Sequence, residues 1–414
     1  MKNALVFIAA ALCVSAAPAE NIDWSQFRGP NRDGLSPDSG LLKEWPASGP
    51  ALAWKTTGLG EGYSTVVIYK DKLYTQGESG GASNLHCLNV SDGKIAWSVK
   101  IGEPGGNRGS GPRSTPSTDG SIVVALGQSG ELVCVEAATG KSKWQKNLQR
   151  DLGGKRPGWW WSESPLLDGD LVLCTPGGSK GTVAALKKDS GELAWQTSDL
   201  KENAHYTSLI AVEIGGIRQA IVLTDQSVAG VAIKDGKVLW RAAREGRTAV
   251  IPTPIYKDGI VFVTSGYGVG CNAFKVTAEG GAFKAEEAYS GKQITNHHGG
   301  VILIGDHLYE LDDQKKMKCV EFKTGKVLWE DRSVGKGAIA YADGHCYVRG
   351  ETGEKGGAST IALVEATPSG YKEKGRFTQP DRSNTAAWAH PVVFGGKFYV
   401  RDQDVLLCYD VKAK

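Results

Sequence analysis

The residues through which this chain could do chemistry are few and widely spaced: Arg113, then Trp159, Trp160 and Trp161 with Glu163, then His205 with Tyr206, then Arg247. Further along stand Asn296, His297 and His298, then Lys336, and finally Trp388 with His390. Guanidinium groups match carboxylates and indole rings offer stacking surface, so Arg113, Arg247 and the histidines point to capture of an anionic, flat ligand against Trp159 to Trp161. The plainer reading is that these side chains are polar because they line a water-filled channel, and that the tryptophans pack a core. On an extended strand His297 and His298 would point to opposite sides, so at most one is expected to face a common site. Pairing that one with His205 or His390 could ligate a metal, but no ligand spacing demands it and no metal is expected. No catalytic residue can be named.

What must position these residues is a repeat. The string CVEFKTGKVLW at 319–329 has relatives at 87–97, 134–144, 185–195 and 230–240, each with Gly seventh (Gly93, Gly140, Gly191, Gly236, Gly325) and Trp last. Trp54, Trp97, Trp144, Trp195, Trp240 and Trp329 are separated by 43, 47, 51, 45 and 89 residues, and the last gap holds about two periods, with one copy degenerate. Within 62–100, runs rich in β-branched and aromatic residues alternate with turns such as Lys70-Asp71 and Ser91-Asp92-Gly93, which predicts a four-stranded antiparallel meander per repeat. The recurrent Gly suits a hairpin needing positive φ, and the Trp suits the gap between neighbouring twisted sheets.

One meander cannot bury both faces, so the units must stack, as an open array or as a ring. The termini choose the ring. Cys408 matches the first position of the repeat, so its closing Trp would fall near position 418, past Lys414. Trp54 in 51–57 is an outer strand without three strands before it. One fragment completes the other and leaves no open array edge. With degenerate outer strands near 283–289 and 371–377, the count predicts an all-β, eight-bladed propeller; reading 267–289 as an insertion would reduce it to seven. First strands of the blades line the channel, and the loops leading into them surround one mouth, where the residues named at the outset would gather.

With 55 Gly, 12 Trp and a formal charge of +3, the chain reads as a turn-rich globular protein with no basic stripe, so no nucleic-acid partner is expected. Residues 1–19 read as a signal peptide, with Lys2, an apolar stretch from Ala4 to Leu12 and the Ala17-Pro18-Ala19 cleavage site. Residues 20–50 form an arm, in which Arg28 and Arg32 anchor the chain across one face, and 51–414 form the propeller. No segment approaches the roughly 20 apolar residues of a membrane span. The mature chain is expected to be exported, periplasmic or extracellular, and monomeric. Cys87, Cys134, Cys319 and Cys408 occupy equivalent strand positions and read as small buried hydrophobes.

At the TGxxxW units the chain resembles the quinoprotein-like (pyrroloquinoline-quinone-like) propeller family, whose tryptophan-docking repeat AxDxxTGxxxW is shared by quinone-dependent alcohol dehydrogenases and the assembly lipoprotein BamB. The family's Asp is here Asn89, Glu136, Lys187, Ala232 and Glu321. The opening WSQFRGPNRDG at 24–34 also looks like the start of exported repeat proteins of this kind. The resemblance implies a propeller that hosts both scaffolds and enzymes. A binding scaffold for an envelope protein or saccharide is the favoured expectation. The alternative is an alcohol or sugar dehydrogenase using pyrroloquinoline quinone with calcium at the channel mouth, but the Cys-Cys pair of such enzymes is absent from the sequence.

Overall fold

The computed structural model describes residues 23–105, 111–332, 334–351 and 359–414. The signal sequence expected over 1–19 lies outside them. The described residues form eight four-stranded antiparallel blades and no helix. In chain order, blades 1 to 7 span 67–102, 117–147, 166–196, 210–243, 255–291, 301–331 and 336–378. The segment 267–289 is thus part of a blade and not an insertion. Blade 8 takes Val392–Phe394, Lys397–Asp402 and Val405–Asp410 from the end of the chain and its outer strand, Ala51–Thr56, from the beginning, with Trp54 opposite Cys408.

Eight hydrophobic cores lie one between each pair of neighbouring blades, including that between blades 8 and 1, where Ile68, Leu73 and Leu88 meet Tyr399, Leu406 and Cys408. The seven cysteines of the described residues are buried and free, as short-chain apolar fillers of these cores.

The outer strands carry the repeat. In each, the register slips by one residue at a bulge beside the Trp position. The bulge aims the ring at the next blade. Indole N–H groups of Trp54, Trp97, Trp144, Trp195 and Trp329 donate to the carbonyls of Val90, Ala137, Lys188, Ile233 and Thr367, at 2.7–3.2 Å. Gly93, Gly140, Gly191 and Gly236 lie flat on the rings of Trp54, Trp97, Trp144 and Trp195. Trp240 breaks the pattern, because the hairpin it faces in blade 5 has lost the motif; its N–H goes to Gln219 of its own blade at 2.9 Å. In blade 5 Tyr289 replaces the Trp, with its hydroxyl on the Phe322 carbonyl at 2.7 Å and Gly325 against its ring.

The axis differs from the expected water-filled channel, because the N-terminal arm occupies it. Asp23–Trp24 adds a fifth strand inside blade 1. The chain then crosses the hub through the turn 26–34. Arg28 donates to the Val301 carbonyl of blade 6, and Arg32 to the carbonyls of Ser164 and Pro165 leading into blade 3 and of Leu209 leading into blade 4. Leu35 then bridges to Tyr341 of blade 7. Farther out, Trp45 packs edge-on against Tyr347 and Phe377 before the chain becomes the outer strand of blade 8. Arg28 and Arg32 thus anchor the arm, but through the centre of the ring rather than across its face.

Candidate functional site

The arm divides the axis into two blind cups. The cup at the strand-entry end has a floor of Phe27 and Arg28 and a wall built by the loops that lead into the inner strands. Its interior leaves about 140 Å³ to the centres of water molecules. The opposite cup is wider, about 540 Å³ by the same measure, and is walled by the far ends of the inner strands, including Asp168, which pairs with Arg218 at 2.6 Å.

Arg113, Trp159, Tyr206, His297, His298, Trp388 and His390 meet in the first cup, as expected from sequence. The remaining predicted residues stand elsewhere. Trp160 lies outside the cup and stacks its ring under Arg156 at 4.3 Å, while Trp161 is fully buried in the core between blades 2 and 3. Glu163 is buried behind the wall and accepts from the Thr175 N–H. Asn296 is sealed beneath the loop, tied to Gly300 and Glu310. His205 turns to Asp225 at 3.2 Å, Arg247 is exposed, and Lys336 sits behind His297. Sequence spacing identified the loops, but inside a loop the direction of each side chain depends on turn geometry that no repeat encodes.

His297 and His298 both line the cup, against expectation, because they stand on a bend rather than a strand and strict alternation does not apply. Phe27, Arg28, Tyr63 and Tyr267 also line it. The signals for these were present but weak: Phe27 and Arg28 belong to the opening WSQFRGPNRDG, and Tyr267 stands between two glycines.

The wall is a nearly continuous belt of π groups. Arg113 lies 5.6–5.9 Å from the ring centres of Tyr63, Trp159 and Trp388, within cation–π range. Tyr63 meets Trp388 at 4.7 Å, Trp388 meets His298 at 5.7 Å, and His297 meets Tyr267 at 4.7 Å. On the other side the Trp159 N–H donates to the Tyr206 hydroxyl at 3.1 Å. Tyr267 holds a left-handed backbone at φ 55° and is 55% exposed, a conformation costly for a bulky residue and held here by its N–H on Asp313 at 2.6 Å.

Two of the imidazoles have defined protons. Lys336 approaches Nδ1 of His297 at 2.6 Å, and because an ammonium only donates, Nδ1 accepts and the hydrogen sits on Nε2. Burial, with His298 and Lys336 close by, presses the His297 pKa down to about 3. His390 is the reverse case: its Nε2 donates to the His298 carbonyl at 2.8 Å, leaving Nδ1 as an acceptor, and burial beside Arg28 lowers its pKa to about 3. His298, only 7% exposed, approaches Glu351 at 3.5 Å. Burial raises the Glu351 pKa, but His298, the Ala387 N–H and Lys336 outweigh it and bring it to about 2. Glu351 thus stays anionic behind the wall.

Pyrroloquinoline quinone with calcium does not fit this cup. Calcium takes oxygen ligands rich in carboxylate, and alcohol oxidation needs a base, yet none of the lining residues is Asp or Glu. Among the described residues no group of three His, Cys, Asp or Glu side chains is placed to hold a metal ion. A space of 140 Å³ also matches one aromatic ring, since an apolar cavity of about 150 Å³ takes up benzene, and a fused tricyclic quinone is larger.

Several known proteins are similar to this chain. An outer membrane protein assembly factor BamB from Xanthomonas campestris pv. campestris is 27% identical over 183 residues, which is 43% of this chain and 41% of that protein. The chain therefore spans less than half the length of this curated relative. The crystal structure of BamB from Moraxella catarrhalis superposes with a TM-score of 0.61 at 16% identity, covering 85% of this chain and 95% of that one. Quinohemoprotein alcohol dehydrogenase from Comamonas testosteroni gives 0.65 at 13% identity, covering 96% and 81%, a likeness of fold alone. The family model described as outer membrane protein assembly factor BamB matches residues 81–331, more than half of the sequence, and the chain belongs to that family of β-propellers.

Proposed function

We propose that this protein is an exported binding scaffold whose loop-built cup receives an envelope protein. The observation that carries the reading is the cup itself: closed at the bottom by the chain's own arm, walled by aromatic rings, hydroxyls and imidazoles, and without a carboxylate among its lining residues. Such a lining recognises and holds; it offers no strong base for substrate oxidation. The wheel supports recognition because eight interblade cores fix the loops without help from a ligand. Export rests on residues 1–19 of the sequence and on the family, described as an outer membrane protein assembly factor, a name one relative also carries. No helix among the described residues is long and apolar enough to cross a membrane.

The test is capture from an envelope extract with wild-type protein and with a Trp159→Ala, Tyr267→Ala double variant that strips the lip of the cup. A protein retained by the first and lost by the second is expected. Retention of a saccharide alone, equal capture by both proteins, or turnover of alcohols or sugars after adding quinone and calcium would each displace this reading.

A further inference from the structure

The cup carries information about the chemistry of what enters it. Two guanidinium groups converge there. Arg113 is held in the wall against three rings, with Nη1 directed to Gln128 and to the Trp159 carbonyl at 3.4 and 3.3 Å. Arg28 lies in the floor, 4% exposed, with Nη2 on the Val301 and Asp33 carbonyls while Nε and Nη1 have no hydrogen-bond partner. A buried donor left unpaired is costly, and a buried cation more so. Asp33 acts on Arg28 from the arm and Glu351 stands behind His298, but no carboxylate lines the cup itself. The Nε2–H of His297 adds a neutral donor. The cup therefore favours negative charge.

Shape supplies the second constraint. Trp159, Trp388 and Tyr63 present ring faces around Arg113, and the space is that of a single six-membered ring. Flat rings gain from offset or edge contact with other rings, and a saturated ring of equal size does not gain to the same degree. Trp159 is 38% exposed at the lip, so an incoming ring meets it first.

We propose that the cup is a binding site for a single aromatic ring bearing one carboxylate, with the ring among Trp159, Tyr63 and Trp388 and the carboxylate on the Arg113 side. This rests on the cup being the recognition surface, but not on the partner being a protein.

Phenylacetate is the probe, titrated into the purified full-length protein and followed by calorimetry and tryptophan fluorescence. Two analogues each remove one feature: cyclohexylacetate keeps the charge without the flat ring, and 2-phenylethanol keeps the ring without the charge. Saturable binding of phenylacetate is expected, weakened about tenfold by either change, as loss of one charge-assisted contact or one ring stack requires. Arg113→Gln should bring phenylacetate down to the affinity of the alcohol, leaving the alcohol unaffected. If that variant fails to fold by circular dichroism, Trp159→Leu at the exposed lip serves instead and should erase the advantage of the flat ring. Equal affinities for the three probes, or no saturable binding of phenylacetate to folded protein, would overturn the assignment. A protein captured from the envelope by a cup that ignores phenylacetate would keep the scaffold reading and discard this one, whereas phenylacetate binding without capture would do the opposite.

Discussion

Trp144 at the rim and Arg32 at the hub are both anchored on backbone carbonyls of another part of the ring, but by different routes. Trp144 reaches Lys188, 44 residues on, and the same contact recurs from blade to blade with the same partners in the repeat. Arg32 reaches Ser164, Pro165 and Leu209, between 132 and 177 residues away, and no second described residue makes that set of contacts. The rim spreads its stability over many interchangeable contacts, so blade 5 tolerates Tyr in place of Trp. The hub concentrates several blades on one side chain. A repeat protein closed by its own arm therefore has a robust edge and a vulnerable centre.

The sharpest way to break this contrast is Arg32→Ala. Three buried carbonyls would lose their donor, and a loss of about 3–5 kcal/mol is expected in urea unfolding. Arg32→Lys should recover little, since one ammonium cannot reproduce the planar fork. A cost no greater than that of a single rim substitution would show that the arm is a passenger.

Acid–base titration probes the buried interior next. Burial raises the Glu310 carboxyl to about 8 and Glu163 to about 7, both only partly relieved by nearby donors and cations. A carboxyl whose pKa is raised on folding favours the native state below its unfolded value and loses that advantage as pH climbs through the folded value, so stability should fall between about pH 4.5 and 8. His297 and His390, depressed to about 3, act on the other side: their contribution is present above about pH 6.5 and is lost as pH falls towards 3. Glu310→Gln should flatten the alkaline limb of a melting-temperature profile and leave the acid limb in place; an unchanged alkaline limb would place the titrating group elsewhere.

The smallest effect separates two glycines. Gly191 has φ 69°, and a Cβ there would stand 2.7 Å from the Trp144 ring, whereas Gly280, in the degenerate hairpin, has φ 58° with nothing within 4 Å. Gly280→Ala should cost about 1 kcal/mol for the left-handed backbone alone, and Gly191→Ala about 2–3 kcal/mol because the ring must also move. Equal costs would mean that the Trp contact contributes nothing beyond the turn.

The rim was legible in the sequence because its physics is local. A Gly in a tight turn and a Trp four residues later are fixed by one hairpin, and the termini revealed their pairing by each lacking what the other had. Trp240 shows the limit of that logic: its motif is intact, but its partner blade has diverged, so its hydrogen bond turned inward. In the cup, spacing placed Arg113, Tyr206, Trp388 and the histidines near one mouth but could not tell Trp159, at the lip, from Trp161, in a core one residue pair away.

By itself, the order of residues determined the blades and their closure, since both follow from period-two strands, glycine turns and the need to bury both sheet faces; that 267–289 belongs to a blade, giving eight rather than seven, came from the fold. Only the tertiary structure decided that the arm fills the axis, that His297 and His298 share one cup, and that Glu163 and Asn296 do not. Those outcomes depend on bends and on contacts between segments more than a hundred residues apart, where many chain paths are compatible with the same local pattern and packing alone selects among them.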